Sequence, residues 1–175
     1  MIYYQDKNIL VRTMEEKDAK TITDEEIAQG WHVSIGKYHT RLKDQTEKKA
    51  VALVAEYEGA VAGYINLYYK ATTGPFAEKS YPEIVDFGVL EKYRNRGIGT
   101  ILMDTGEKLA SEQSDIITLG VGLHSGYGSA QRMYIKRGYI PDGSGVWYQN
   151  SECPPYSACR NDDDLILYFY KKLNI

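Results

Sequence analysis

Residues 82–112 read PEIVDFGVLEKYRNRGIGTILMDTGEKLASE, and the fold turns on them. Ile84, Val85, Phe87, Val89 and Leu90 form a short, nearly continuous apolar run. Such a run suits a strand covered on both faces. Asp86 interrupts it, and a carboxylate in that setting must find a partner or a use. The turn Arg94-Asn95-Arg96-Gly97-Ile98-Gly99-Thr100 follows. After it, Ile98, Ile101, Leu102, Thr105 and Leu109 recur at helical spacing.

A strand, a basic glycine turn and a helix start together point to anion capture. The first amides of a helix lack intrahelical acceptors, and the helix dipole is positive there. Gly97 and Gly99 let the backbone approach a bulky anion, and Arg94 and Arg96 add positive charge. The expected guest is a phosphate or pyrophosphate. The bland alternative is a βα loop with two solvated arginines. Two better-known phosphate motifs fail. The dinucleotide pattern G-x-G-x-x-G needs glycine where Leu102 stands, and no G-x-x-x-x-G-K-[ST] occurs in the chain.

Arg94-x-x-Gly97-x-Gly99, placed after a strand and opening a helix, resembles the acetyl-CoA signature Q/R-x-x-G-x-G/A of the GNAT family of N-acetyltransferases. Residues 116–123 resemble that family's fifth strand. Ala130-Gln-Arg-Met-Tyr134-Ile-Lys-Arg-Gly138-Tyr139 resembles its A-x-x-x-Y-x-x-x-G-F/Y helix. The likeness runs from about residue 53 to 147, and both halves occur in the family's order. It implies an α/β (α+β) fold. The family's sheet is mixed and mostly antiparallel, with six to seven strands, helices on both faces and a splay between strands 4 and 5. Acetyl-CoA inserts at that splay as cosubstrate.

The resemblance also implies site residues. The turn from Arg94 through Asn95, Arg96, Gly97, Ile98 and Gly99 to Thr100 would hold the pyrophosphate. Backbone groups of Phe87, Gly88 and Val89 would bind the acetyl carbonyl and the pantetheine arm. Tyr127 stands where the family often has asparagine, which puts one cofactor contact in doubt. Tyr134 would be the general acid. A tyrosine with pKa near 10 is protonated at neutral pH and can donate to a thiolate whose conjugate acid lies near 8.5. Glu83 sits where some members carry a base on the fourth strand, and Asp86 is its rival. Strand alternation sets the two on opposite faces unless a bulge intervenes. An alkyl amine is mostly protonated at pH 7, so a carboxylate, direct or through water, would help remove its proton. His124 reads as a surface histidine beside the site.

At 175 residues the chain reads as one domain, 1–175, which the resemblance makes an N-acetyltransferase domain. A net charge of -3 argues against a general nucleic-acid binder. No basic n-region followed by an apolar h-region opens the sequence, and no apolar run reaches membrane-spanning length. A soluble, cytoplasmic protein is expected. Cys153 and Cys159, in Cys-Pro-Pro-Tyr-Ser-Ala-Cys, match no common zinc spacing, so no metal is expected. They read as reduced thiols, since a reducing compartment disfavours a disulfide.

Taken in order, residues 8–14 read as a strand. Residues 15–29 read as an interrupted helix, with Thr23 and Glu26 as a capping box for a second start and Gly30 ending it. Residues 34–49 hold another helix. Residues 50–56 and 61–69 read as antiparallel strands joined at Glu58-Gly59, and 71–81 as a loop. A strand over 115–123 and a helix over 127–137 come next. Residues 142–145 read as a turn, 146–149 as a strand, 150–163 as a loop and 165–172 as the last strand.

The resemblance implies an enzyme that transfers an acetyl group to a primary amine, here read as one of a small molecule, by direct attack. A non-catalytic acyl-CoA-binding sensor or regulatory module is the alternative. Asp162-Asp163-Asp164 could attract a cationic amine, or be a solvated turn. The family's members often form homodimers.

Overall fold

The computed structural model describes residues 1–173 and resolves into two compact units, each with its own core. One comprises Met1–Tyr68 and Val85–Leu109, the other Tyr69–Ile84 and the described residues from Ala110 onward. Residues 174–175 of the expected domain lie outside the described residues.

The first unit starts with strands β1 (Ile2–Gln5) and β2 (Ile9–Thr13). Helices α1 (Glu16–Ala28) and α2 (Ile35–Thr46) follow, then strands β3 (Ala50–Tyr57) and β4 (Ala60–Tyr68). β1, β2, β3 and β4 pair antiparallel in that order. The β3–β4 hairpin turns at Glu58-Gly59 as expected, both with positive φ (50° and 83°), the twist that two-residue hairpins favour. Strand β5 (Glu83–Val89) gives its later residues to this unit, where Leu90 N–H donates to Ala62 O at 2.9 Å. Helix α3 (Ile98–Ser111) completes it.

Helices cover both faces of this sheet. Tyr64 on β4 packs with Met14, Ala19, Ile22, Tyr38, Ala52 and Val54, the side of α1 and α2. Its neighbour Gly63 points the other way. A Cβ on Gly63 would stand 3.2 Å from Leu102 of α3.

Helix α1 is continuous, which corrects the interrupted reading. Its N-terminal carboxylate is Asp18, whose Oδ2 accepts from Glu15 N–H at 2.7 Å. Thr23 and Glu26 lie buried in the helix interior, and Thr23 Oγ1 donates to Ala19 O. Helix α2 is capped by Ser34, whose Oγ accepts from Gly36 N–H. Gln45 of α2 accepts from Ala52 N–H at 2.9 Å and donates to Met14 O at 3.2 Å, so one side-chain amide ties the helix to β3 and to the residue that follows β2.

The second unit opens with a loop over 69–82 and the first two residues of β5. Strand β6 (Ile116–Gly122) is followed by helix α4 (Gly128–Lys136) and strands β7 (Ile140–Tyr148), β8 (Ser151–Glu152) and β9 (Leu165–Lys172). β6 pairs parallel with β5 at two residue pairs, Glu83 with Thr118 and Ile84 with Leu119. β9 lies antiparallel between β6 and β7, and β8 pairs with β7. Phe76, Ala71 and Tyr168 form a small core with Tyr81, Trp147, Ile166 and Tyr170 around it.

The described residues thus hold nine strands where six or seven were expected, and the sheet is mixed and mostly antiparallel. β1 and β8 are the unforeseen strands. The expected turn over 142–145 lies inside β7, as a register jump between Pro141 and Val146 with Gly143 and Gly145 at positive φ.

A largely buried ion-pair network bridges β2, β3 and α1. Arg12 donates to both oxygens of Asp18, at 2.7 and 2.9 Å, and its Nε donates to Glu56 at 2.8 Å. The Asp18 side chain is 1% exposed. Removing one partner strands a buried charge, so Arg12→Ala should lower unfolding free energy by about 3 kcal/mol. Urea denaturation checks this, and an unchanged midpoint would refute it.

Candidate active site

The turn between β5 and α3 is built as the sequence suggests. A short helical turn, Glu91–Tyr93, precedes Arg94, which is extended. Asn95 and Gly97 then adopt positive φ, 62° and 81°, and α3 starts at buried Ile98. The two glycines serve different ends. A Cβ on Gly97 would meet nothing within 4 Å, so glycine is needed there for its φ, and the space in front of it is open. A Cβ on Gly99 would stand 3.3 Å from Phe87 Cζ and 3.5 Å from Val89 Cγ2, so its absence lets α3 sit close on β5.

Helix geometry leaves the first amides of α3 without intrahelical acceptors beside that open space. Exposed Thr100 adds a hydroxyl on this first turn. Arg94 reaches back to Val89 O (Nε at 3.4 Å), lies 3.6 Å from Glu91 and faces the Trp31 ring at 5.8 Å. Arg96 stacks over Tyr57 at 4.8 Å. Both guanidinium groups are thereby steered by aromatic faces while staying exposed. The arrangement fits a pyrophosphate: an open glycine backbone, helix amides and two cations.

Asp86 has φ of 56° inside β5, so the strand's alternation breaks there. The bulge is the condition under which Glu83 and Asp86 need not face opposite ways. Asp86 Oδ2 takes Arg41 Nε at 2.7 Å and lies 2.6 Å from Nη2, while its carbonyl accepts from Asn66 at 3.3 Å. Arg41 also donates to the Tyr68 hydroxyl at 2.6 Å, and Tyr68 donates to Asp44. Burial pulls the Arg41 pKa down, but Asp86 and Tyr68 outweigh it and the net shift is upward. Burial, with Asp44 as acceptor, pushes Tyr68 up to about 12.

Gly88, two residues on, is buried under a tyrosine. A Cβ there would stand 2.8 Å from both Cζ and the hydroxyl oxygen of Tyr64. The Tyr64 hydroxyl donates to Glu26 Oε1, and Tyr38 donates to Glu26 Oε2 at 2.5 Å. Glu26 has no exposed surface. Burial raises the pKa of both tyrosines. The rings meet edge to face at 5.4 Å, and Lys37 Nζ lies over both, 4.7 Å from Tyr38 and 5.5 Å from Tyr64.

In the second unit, Glu83 is 5% exposed, not a solvated residue at a strand start. Burial and then the Glu83 charge raise the Tyr168 pKa. Tyr134 of α4 is 6% exposed and meets Tyr139 edge to face at 5.8 Å. Burial, then the nearby Tyr127, pushes its pKa upward, so it stays a proton donor well into the alkaline range. The Tyr127 ring fills the space over Gly122, and its hydroxyl donates to Asp163 at 2.8 Å.

His124 is occupied on both nitrogens. Nδ1 accepts from Gly126 N–H at 3.1 Å, which places the ring proton on Nε2, 2.9 Å from Asp163. Those two bonds leave it no spare lone pair for general-base work. Hydrogen bonds from His124 and Tyr127 lower the Asp163 pKa.

Within the first unit, then, Asp86, Phe87, Gly88, Val89 and the turn from Arg94 to Thr100 lie together, while Glu83, Tyr127 and Tyr134 belong to the second. Sequence reasoning took Glu26 for part of a capping box, and it missed the contacts of Tyr38, Arg41, Asp44, Tyr64 and Tyr68. The only signal for two of them was spacing: Tyr38 and Arg41 share one face of α2 with Gln45.

The chain matches the model of the Acetyltransferase (GNAT) family over residues 15–139, and it belongs to that family. An uncharacterized N-acetyltransferase of Chlorobaculum tepidum is 30% identical over 110 residues, 61% of this chain and 63% of the relative. The chain therefore spans less than two thirds of that relative's length. Among solved structures, an acetyltransferase from Salmonella typhimurium that modifies the N-terminal serine of ribosomal protein L7/L12 superposes with a TM-score of 0.72. Its identity is 8%, with 99% of this chain and 100% of that one covered. The protein yncA from the same organism, solved with its cofactor acetyl-CoA, gives 0.67 at 14% identity over 96% of this chain and 95% of its own. These likenesses are of fold.

The close approach of Tyr64 makes Gly88→Ala an overpacking change. It should cost about 1–3 kcal/mol of stability, read by denaturant titration. A neutral substitution would show that Tyr64 can withdraw from Gly88.

Proposed function

We propose that the whole chain, 1–175, acts as one acetyl-CoA-dependent N-acetyltransferase domain in the cytoplasm. Its acceptor is a primary amine of a small molecule. The observation that carries this reading is the turn over residues 94–100: family-patterned Arg94, Gly97 and Gly99, open space before Gly97, and the start of α3 behind it. Arg94, Asn95, Arg96, Gly97, Ile98, Gly99 and Thr100 hold the pyrophosphate. Backbone groups of Phe87, Gly88 and Val89 take the acetyl carbonyl and pantetheine arm, and Tyr127 is the remaining cofactor contact.

The reaction is direct attack. The amine nitrogen adds to the thioester carbonyl, the carbon–sulfur bond breaks, and the departing thiolate takes the Tyr134 hydroxyl proton. Glu83, directly or through water, accepts the proton the amine loses. Asp86, whose Oδ2 is already engaged by the Arg41 guanidinium, is the rival base candidate.

A panel of amines, with thiol release from acetyl-CoA as readout, tests the reading. Amine-stimulated release with polyamines, aminoglycosides or amino acids supports it. Release only with peptide N-termini, the acceptor type named for the L7/L12-modifying structural neighbour, would move the acceptor class to proteins. Acetyl-CoA binding without release for any amine would establish a sensor.

Two variants probe the roles. Tyr134→Phe keeps the ring and should lower kcat roughly 10- to 1000-fold with acetyl-CoA affinity little changed. Since burial raises the Tyr134 pKa, its donating form persists, and the wild-type kcat should show no falling limb at pH values up to about 10. An unchanged kcat with a lowered Tm would assign Tyr134 to the core alone. Glu83→Gln should lose most activity below the acceptor's pKa and recover as solvent supplies neutral amine. A larger pH-dependent loss in Asp86→Asn would exchange the two carboxylates.

A further inference from the structure

Both cysteines of the chain lie in the segment between β8 and β9. Cys153 is pinned at its backbone, where its N–H donates to Val146 O of β7 at 2.8 Å. Residues 154–157 then form a β-turn closed by Ser157 N–H to Pro154 O at 3.1 Å, with Pro155 second and Tyr156, at φ of 69°, third. Proline followed by positive φ is the type II arrangement. The turn folds the chain back on itself between the two cysteines, and Cys159 is near enough to Cys153 to shift its thiol. Cys159 is exposed and Cys153 half-buried. Further on, Asp163 fixes the segment to His124 and Tyr127. Two thiols on either side of a tight turn, one open to solvent, sit in a segment anchored at both ends.

We propose that Cys153 and Cys159 are a reversible modification site that closes to an intramolecular disulfide with a low-molecular-weight disulfide, glutathione disulfide being the probe. The Cys159 thiolate attacks one sulfur of the oxidant, its S–S bond breaks, and one thiol leaves. Cys153 then gives its proton to solvent and attacks the Cys159 sulfur, expelling the second thiol. One dithiol and one disulfide become one disulfide and two thiols, a two-electron exchange. Burial, then the neighbouring Cys159, raises the Cys153 pKa, so the exposed Cys159 is the thiol placed to react first. In a reducing compartment such a bond is transient and reports redox state. The inference is independent of the acyl-transfer reading.

The test equilibrates the full chain in glutathione buffers of rising oxidised fraction, quenches by alkylation and weighs the intact protein. Both thiols should vanish together, with the loss of two hydrogens, no adduct and no dimer, and dithiothreitol should restore them. Chymotryptic digestion of the denatured product, cut after Tyr156, should give two peptides joined until reduced. Cys153→Ser, checked for a native Tm, should instead stop at one glutathione on Cys159. A stable single adduct on the wild type, linked dimers, or two alkylatable thiols at the most oxidising ratio would each overturn the proposal.

Discussion

A carboxylate with no exposed surface stands at the centre of the first unit. Glu26 projects from α1, and each of its oxygens takes one tyrosine hydroxyl, Tyr38 from α2 and Tyr64 from β4. A buried carboxylate left without donors costs several kcal/mol, so the two tyrosines are fixed as a condition of folding. Their positions fix more. The Tyr64 ring covers β5 at residue 88, which forces glycine there and sets how β5 lies against β4. The bulge at Asp86 comes two residues earlier, and Asn66, two residues after Tyr64 on β4, holds its carbonyl. Strand β5 leads from there directly into the glycine turn.

Sequence reading did well where the deciding forces are local. The apolar run of β5, the glycine turn and the period of α3 all lie within some thirty residues. The last strand, read over 165–172, is observed over the same span. The failures share a cause as well. β1 and β8 are short, mostly exposed edge strands whose residues carry no alternation, and only tertiary pairing makes them strands. Gln149-Asn150 turns the β7–β8 hairpin with both φ positive (50° and 60°), without the glycine that would have announced it. Thr23 and Glu26 have the spacing of a capping box, yet their burial assigns them to the helix interior. The charged network around Asp86 was invisible because Arg41 and Asp86 are 45 residues apart in sequence.

The carboxylates of β5 differ in company more than in chemistry. Asp86 is bound to a guanidinium that Tyr68 also engages, and Tyr68 is bound to Asp44, so a change at any member is felt by the rest. Glu83 is more deeply buried, at the start of the short parallel ladder with β6. The glycines of the turn divide in the same manner, one chosen for backbone angle and the other for the approach of Phe87.

Helix α2 has a consequence of its own. Tyr38, Arg41 and Gln45 lie on one face, and each makes directional hydrogen bonds to a different place: Glu26, Asp86 with Tyr68, and the backbone at Met14 and Ala52. Ile35 and Leu42 pack beside them. Greasy contacts alone would let a helix roll or slip by degrees, since dispersion is nearly indifferent to small rotations. Hydrogen bonds lose strength steeply with angle. A roll of α2 by one residue, about 100°, would break all three attachments together. The helix therefore has a single docked azimuth. Any departure from it is a discrete release of the whole segment, with Ser34 and the polar chain after Thr46 as its ends.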